Sequence, residues 1–223
     1  MSGDNAGMQQ YDWTNVGQIN QNGDGWDWVA PTIVGPGDLW SIDEWNCYMA
    51  DGTSGGGVAG GTAVTLNANF VVTNNSANTE TFTLVMTLNS GVVIADALMA
   101  GSVVGTVTDL TFDDATVAAV GGSSIYKGQI DGTTVQTLLD DPFSQNAGGA
   151  LQSSAVGPED FGTPNHIASG EDLDTSISIV LEFTLTAGDS ASFSAVFEVI
   201  PAPAALPLLA GFGLLGRRRR RGN

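Results

Sequence analysis

Side-chain oxygens are what this chain has most of for chemistry. In "NQNGDGWD", Asn20, Asn22 and Asp24 follow at i, i+2 and i+4, with Gly25 next and Asp27 beyond. Alternating oxygens ahead of a glycine turn form the first half of a calcium loop, in which hard donors converge on one ion. The twelfth position of such a loop is Pro31, where a bidentate glutamate is expected. The same residues also spell a polar Asn/Gly turn leading into a strand. Asn20, Asn22, Asp24 and Asp27 are therefore the candidate calcium ligands, and the sequence calls for no other cofactor. Further carboxylates come in pairs: Asp113-Asp114, Asp140-Asp141, Glu159-Asp160, and Glu171-Asp172 with Asp174. As a group they suit weak cation binding, and none stands out as a site.

Nucleophilic chemistry has little to work with. His166 is the only histidine and lies in an aperiodic stretch, where a solvated loop position is expected. There is no Gly-x-Ser-x-Gly elbow, no zinc-type His/Cys spacing and no phosphate loop ending in Lys-Ser/Thr. Cys47 is the only cysteine, which excludes an intrachain disulfide and suits a small buried hydrophobe. No catalytic residue is assigned and the chain is not expected to be an enzyme. All five tryptophans fall early, at Trp13, Trp26, Trp28, Trp40 and Trp45. Trp26 and Trp28 share parity, so on a strand they share a face. They would either stack on a sugar ring or seal the core. Asn74-Asn75-Ser76 fits an N-glycosylation acceptor.

The elements that would position these residues read as β-structure. In "AVTLNANFVVT", Val64, Leu66, Ala68, Phe70 and Val72 alternate with polar residues, and in "TETFTLVMTL" Phe82, Leu84, Met86 and Leu88 do so. Ile177 to Leu185 and Ala191 to Val199 repeat the pattern around "AGDS". Each couple reads as an antiparallel pair joined by a short turn. Candidate strands also cover 101–112, 124–130 and 133–139, with Asp131-Gly132 as a two-residue hairpin turn. Residues 140–172 show no period, and "DDATVAAVGG" fits either a helix or a strand. Strands with one apolar face need a second sheet over it. The expected fold is all-β: an antiparallel β-sandwich of the jelly-roll or immunoglobulin-like class, followed by a short C-terminal apolar helix.

Charge is divided just as sharply. There are 24 acidic and six basic residues, and five of the six are Arg217, Arg218, Arg219, Arg220 and Arg221. Residues 1–200 thus carry one lysine against every acid, a surface that repels nucleic acid. Ahead of the arginines, Val199 to Gly216 is uncharged and largely apolar, interrupted by Pro201, Pro203 and Pro207. A helix over Ala204–Gly216 would span roughly 20 Å, against a bilayer core of about 30 Å. Arginines immediately after it favour a cytoplasmic C-terminus with the domain outside.

The stretch "IPAPAALPLLAGFGLLGRRRRR" resembles the PEP-CTERM sorting signal of Gram-negative bacteria. Its Pro-x-Pro motif falls on Pro201, Ala202 and Pro203, its helix on Ala204–Gly216 and its basic cluster on Arg217–Arg221. The family's central glutamate is Ala202 here. The resemblance implies export, a transient inner-membrane anchor, processing by an exosortase-type enzyme, and delivery to the cell surface or an extracellular polysaccharide matrix. It also implies an N-terminal export signal. "MSGDNAGMQQ" has neither the basic nor the apolar region of one, so a start upstream of Met1 is expected. The reading divides the chain into a β-sandwich domain (1–198) and a sorting segment (199–223). Its expected role is structural or adhesive, in a biofilm matrix or at the surface. A carbohydrate-binding module using the tryptophans is the alternative, and a hydrolase ranks below both.

Overall fold

The computed structural model describes residues 18–22, 25–53, 63–149 and 151–202. They form β1 (Gln18–Asn22), β2 (Gly25–Val29), β3 (Ile33–Val34), β4 (Trp40–Asp51), β5 (Val64–Asn74), β6 (Glu80–Asn89), β7 (Leu98–Thr108) and β8 (Ala115–Ala119). The later strands are β9 (Ser124–Ile130), β10 (Thr133–Asp140), β11 (Ser144–Ala147), β12 (Ser153–Phe161), β13 (Ile167–Ala168), β14 (Ser176–Leu185) and β15 (Ser190–Ile200). Among the described residues the only helical turn is a 3-10 turn at Pro36–Asp38, so the fold is all-β. No described helix is long and apolar enough to cross a membrane. The expected helix at 204–216 lies outside the described residues.

Two antiparallel sheets carry the architecture. The first runs β1-β2-β4-β5-β15-β7-β12, with β3 on β4 and β13 on β7. The second is built on β14. One edge of β14 pairs with all of β6, and the other is shared by β9 (Ile177–Leu181) and β8 (Phe183–Leu185). β10 and β11 extend it. Alternation predicts the buried faces correctly. Val64, Leu66, Ala68, Phe70 and Val72 are buried, as are Phe82, Leu84, Met86, Leu88 and the inward residues of β14 and β15. The two apolar faces meet at ring contacts such as Phe183 to Phe193, 4.8 Å between centroids. Tyr126 on β9 donates its hydroxyl to the Val196 carbonyl on β15, 2.9 Å away, and burial pushes its pKa upward.

The strand pairings differ from the sequence expectation in a consistent way. β5 and β6 are not partners: β5 pairs with β4 and β15, and β6 with β14. β14 and β15 are likewise in opposite sheets, linked by a turn at Ala187-Gly188 where Gly188 takes φ of 73°. Two adjacent strands with one apolar face can bury it side by side under a common cover, or face to face. Residues 186–189 are enough to cross the gap of about 10 Å between packed sheets, and facing each other buries both apolar rows at once. The Asp131-Gly132 turn does join a true hairpin, β9–β10, with φ of 50° and 82°. Residues 115–119 are a strand. The aperiodic stretch 140–172 contains β11 and β13, too short to show period two, and β12, an edge strand whose register shifts between Val156 and Glu159. β15 runs through Val199 and Ile200, past the expected boundary at 198.

Candidate functional site

Three strands end in polar residues that keep the inward parity of the apolar residues before them. Phe70 and Val72 on β5 lead to Asn74, Val103 and Val107 on β7 lead to Asp109, and Asp189 precedes Ala191 and Phe193 on β15 in the same phase. All three are fully buried. They lie where the chain passes between sheets: Asn74 ahead of the link to β6, Asp109 in the β7–β8 loop, and Asp189 in the β14–β15 link. A fully buried polar group must be hydrogen-bonded or it destabilises the fold.

Asn74 meets this requirement entirely with protein. Its amide nitrogen donates to the carbonyls of Asn78, Leu185 and Thr186, and its Oδ1 accepts from Ser76 N–H. Asn74 N–H also donates to the Asp189 carbonyl at 2.9 Å. The glycosylation reading is thereby answered, because the amide is buried and occupied.

The two aspartates are met in part. Asp109 Oδ1 accepts the N–H groups of Thr111 and Phe112 at 2.9 and 2.7 Å. Its Oδ2 is buried and has no hydrogen-bond partner among the described residues. Asp189 accepts from Leu110 N–H at 3.1 Å and from Thr186 Oγ1 at 2.6 Å, and Thr111 Oγ1 lies 3.3 Å from its Oδ1. Thr111 Oγ1 also hydrogen-bonds Asp113, which is exposed. One carboxylate oxygen each from Asp109, Asp113 and Asp189 lies within 4.8 Å of the other two. The described cationic side chains are engaged elsewhere. Lys127 binds Glu182 at 2.6 Å and His166 Nε2 sits 3.0 Å from Glu198 Oε1. A donor set of this kind, oxygen only, net negative and assembled from two loops, could hold a hard cation.

The sequence-derived candidates fare differently. Asn20 and Asp27 are cross-strand partners in the β1–β2 hairpin. An extended strand sets the backbone positions of Asn20 and Asn22 roughly 7 Å apart along the chain. Asp24 and the Asn22 side chain lie outside the described residues. Of the acidic pairs, only Asp113 joins a cluster. Asp114 accepts from Gly149 N–H, Asp141 from Gly122 N–H, Glu159 from Leu139 N–H and Asp172 from Asp96 N–H. These acids fasten separate segments of the chain to one another.

Trp28 is 4% exposed and packs edge-to-face on Trp45, with centroids 5.3 Å apart, so its ring faces are not free to stack on sugar. Trp26 is half-buried and does not share that buried position. Cys47 is buried, and loss of water pushes its thiol up to about 12 against a weak opposing effect from Trp45. A thiol so shifted is inert at neutral pH. His166 is half-buried against a β15 carboxylate instead of fully solvated. Pro201 and Ala202 follow β15 directly. Pro203 and Arg217–Arg221 lie outside the described residues.

By local pattern Asp109 belongs to a strand and Asp189 to a turn, so neither stands out as a ligand in the sequence. The available signal was parity: a carboxylate in register with an apolar row is aimed inward. Comparison with protein-family models, with curated proteins and with solved structures finds no match for this chain.

Proposed function

We propose that the chain is an exported structural or adhesive protein of a cell surface or extracellular matrix. Its two sheets would form a β-sandwich of the jelly-roll or immunoglobulin-like class, and residues from Pro201 onward would serve as a sorting signal. The observation that carries this reading is the junction. β15 is a central, fully paired strand ending at Ile200, and Pro-Ala-Pro begins at the next residue. A sorting segment must leave a finished domain in this manner, so that its removal costs the fold nothing. The acidic, lysine-poor surface supports the same role, since it stays soluble and repels nucleic acid. The inward position of Trp28 and Trp45 favours a structural use of the tryptophans over sugar stacking.

The test is intact-mass measurement of the protein recovered from the producing cells and from their matrix fraction. The expected product is outside the cell and lacks Arg217–Arg221. A chain that ends at Asn223 and stays in the cytosol overturns the proposal.

A further inference from the structure

We infer that Asp109, Asp113 and Asp189 bind a calcium ion that ties the β7–β8 loop to the β14–β15 link. Convergence of acids alone would not carry this. The decisive second observation is Asp109 Oδ2, an oxygen of a fully buried carboxylate with no donor among the described residues. Its sister oxygen is committed to two N–H groups of the following turn. Leaving a buried carboxylate oxygen unmatched destabilises the fold unless something positive completes it. Asp189, also fully buried, brings a second charge to the same place. All its partners there are neutral donors. The described lysine and histidine are paired with Glu182 and Glu198. A cation from solution is the group that answers this arrangement.

The donor chemistry selects calcium among common cations. Three carboxylates on loops, with each pair of contributing oxygens within 4.8 Å, fit a shell of oxygens about 2.4 Å from one ion. Magnesium demands a tighter octahedron and gives up its water reluctantly. The absence of His and Cys from the cluster argues against zinc. The ion would join the exit of β7 in one sheet to the crossing from β14 to β15, and so latch the two sheets at this end. This inference does not depend on the export reading.

The test uses the full chain, stripped with a chelator and then titrated with calcium chloride, followed by calorimetry and thermal unfolding. The expected result is saturable binding, with a rise in midpoint of about 5 °C or more at a hundredfold excess over Kd. Asp113→Asn, an exposed change that leaves the buried aspartates in place, should weaken calcium binding by at least about tenfold. Asp27→Asn, in the β1–β2 hairpin, should leave binding unchanged. The proposal is overturned by any of three outcomes: no calcium effect on the native chain, an effect retained in full by Asp113→Asn, or an equal effect from magnesium.

Discussion

The two ends of β14 solve the same problem in opposite ways. Before its first residue, Ser176, stands the exposed carboxylate of Asp131, from the β9–β10 turn. It accepts the N–H groups of Asp174, Thr175 and Ser176 and the hydroxyl of Thr175, all between 2.6 and 2.8 Å. Partial loss of water is the largest single influence on this group and acts upward, yet the four donors together hold its pKa below the usual 3.8. Beyond the last residue, Leu185, stands Asp189, fully buried and sharing its space with two more carboxylates. One end is complete with neutral protein donors. The other has buried negative charge in excess of its donors. An acid at a strand end is therefore a staple or a ligand according to its donor count, and burial sets how costly a deficit becomes.

Changes along β14 should reveal this asymmetry. The largest loss is expected at Phe183, which contacts Phe82 within its sheet and Phe193 across the core. Phe183→Ala should lower unfolding free energy by about 3–5 kcal/mol in denaturant titration, with or without calcium. A loss that varied with calcium would mean the core and the Asp189 end are coupled. Next comes calcium removal from the native chain. This should destabilise by about 3 kcal/mol relative to a hundredfold excess over Kd, whereas Asp131→Asn should leave that difference intact. If Asp131→Asn abolished it, the proposed contrast between the ends would collapse.

At the Asp131 end, Asp131→Ala should cost about 1 kcal/mol at neutral pH, discounted for exposure. Because the folded pKa is depressed, the ionised form's contribution is fully present above the unfolded value near 3.8. It fades as pH falls through the folded value. The gap between native and Asp131→Ala midpoints should therefore narrow between about pH 5 and pH 2. A gap independent of pH would assign the loss to turn geometry. The smallest effect belongs to Lys127→Met on β9. Lys127, as hydrogen-bond donor, is the main cause of the lowered Glu182 pKa, but both side chains are about a quarter exposed. Unfolding free energy from denaturant titration should fall by no more than about 1 kcal/mol, and by less in high salt.

Much of the secondary structure was legible because period two is a local property. Ile177, Ile179, Leu181, Phe183 and Leu185 announce one buried face whichever strand lies alongside. The same alternation is silent on pairing. β5 and β6, and again β14 and β15, could have been hairpins, and became facing strands in opposite sheets. The spacing of the candidate calcium loop at Asn20–Asp27 presumes a curled backbone, whereas Asn20–Asn22 and Gly25–Asp27 are paired strand and Asp24 lies outside the described residues. The acidic triad was hidden for the converse reason, since Asp189 lies far along the chain from Asp109 and Asp113.

By itself the sequence determined which faces are apolar, where Asp131-Gly132 turns, that the single cysteine forms no disulfide within the chain, and that charge divides between an acidic domain and a basic end. These follow from residue type and nearest-neighbour geometry. Only the tertiary structure decided that consecutive strands cross between sheets, that Trp28 faces the core, and that two inward aspartates meet a third at the crossing. Those outcomes depend on how two apolar faces cover each other, and that choice belongs to the whole chain.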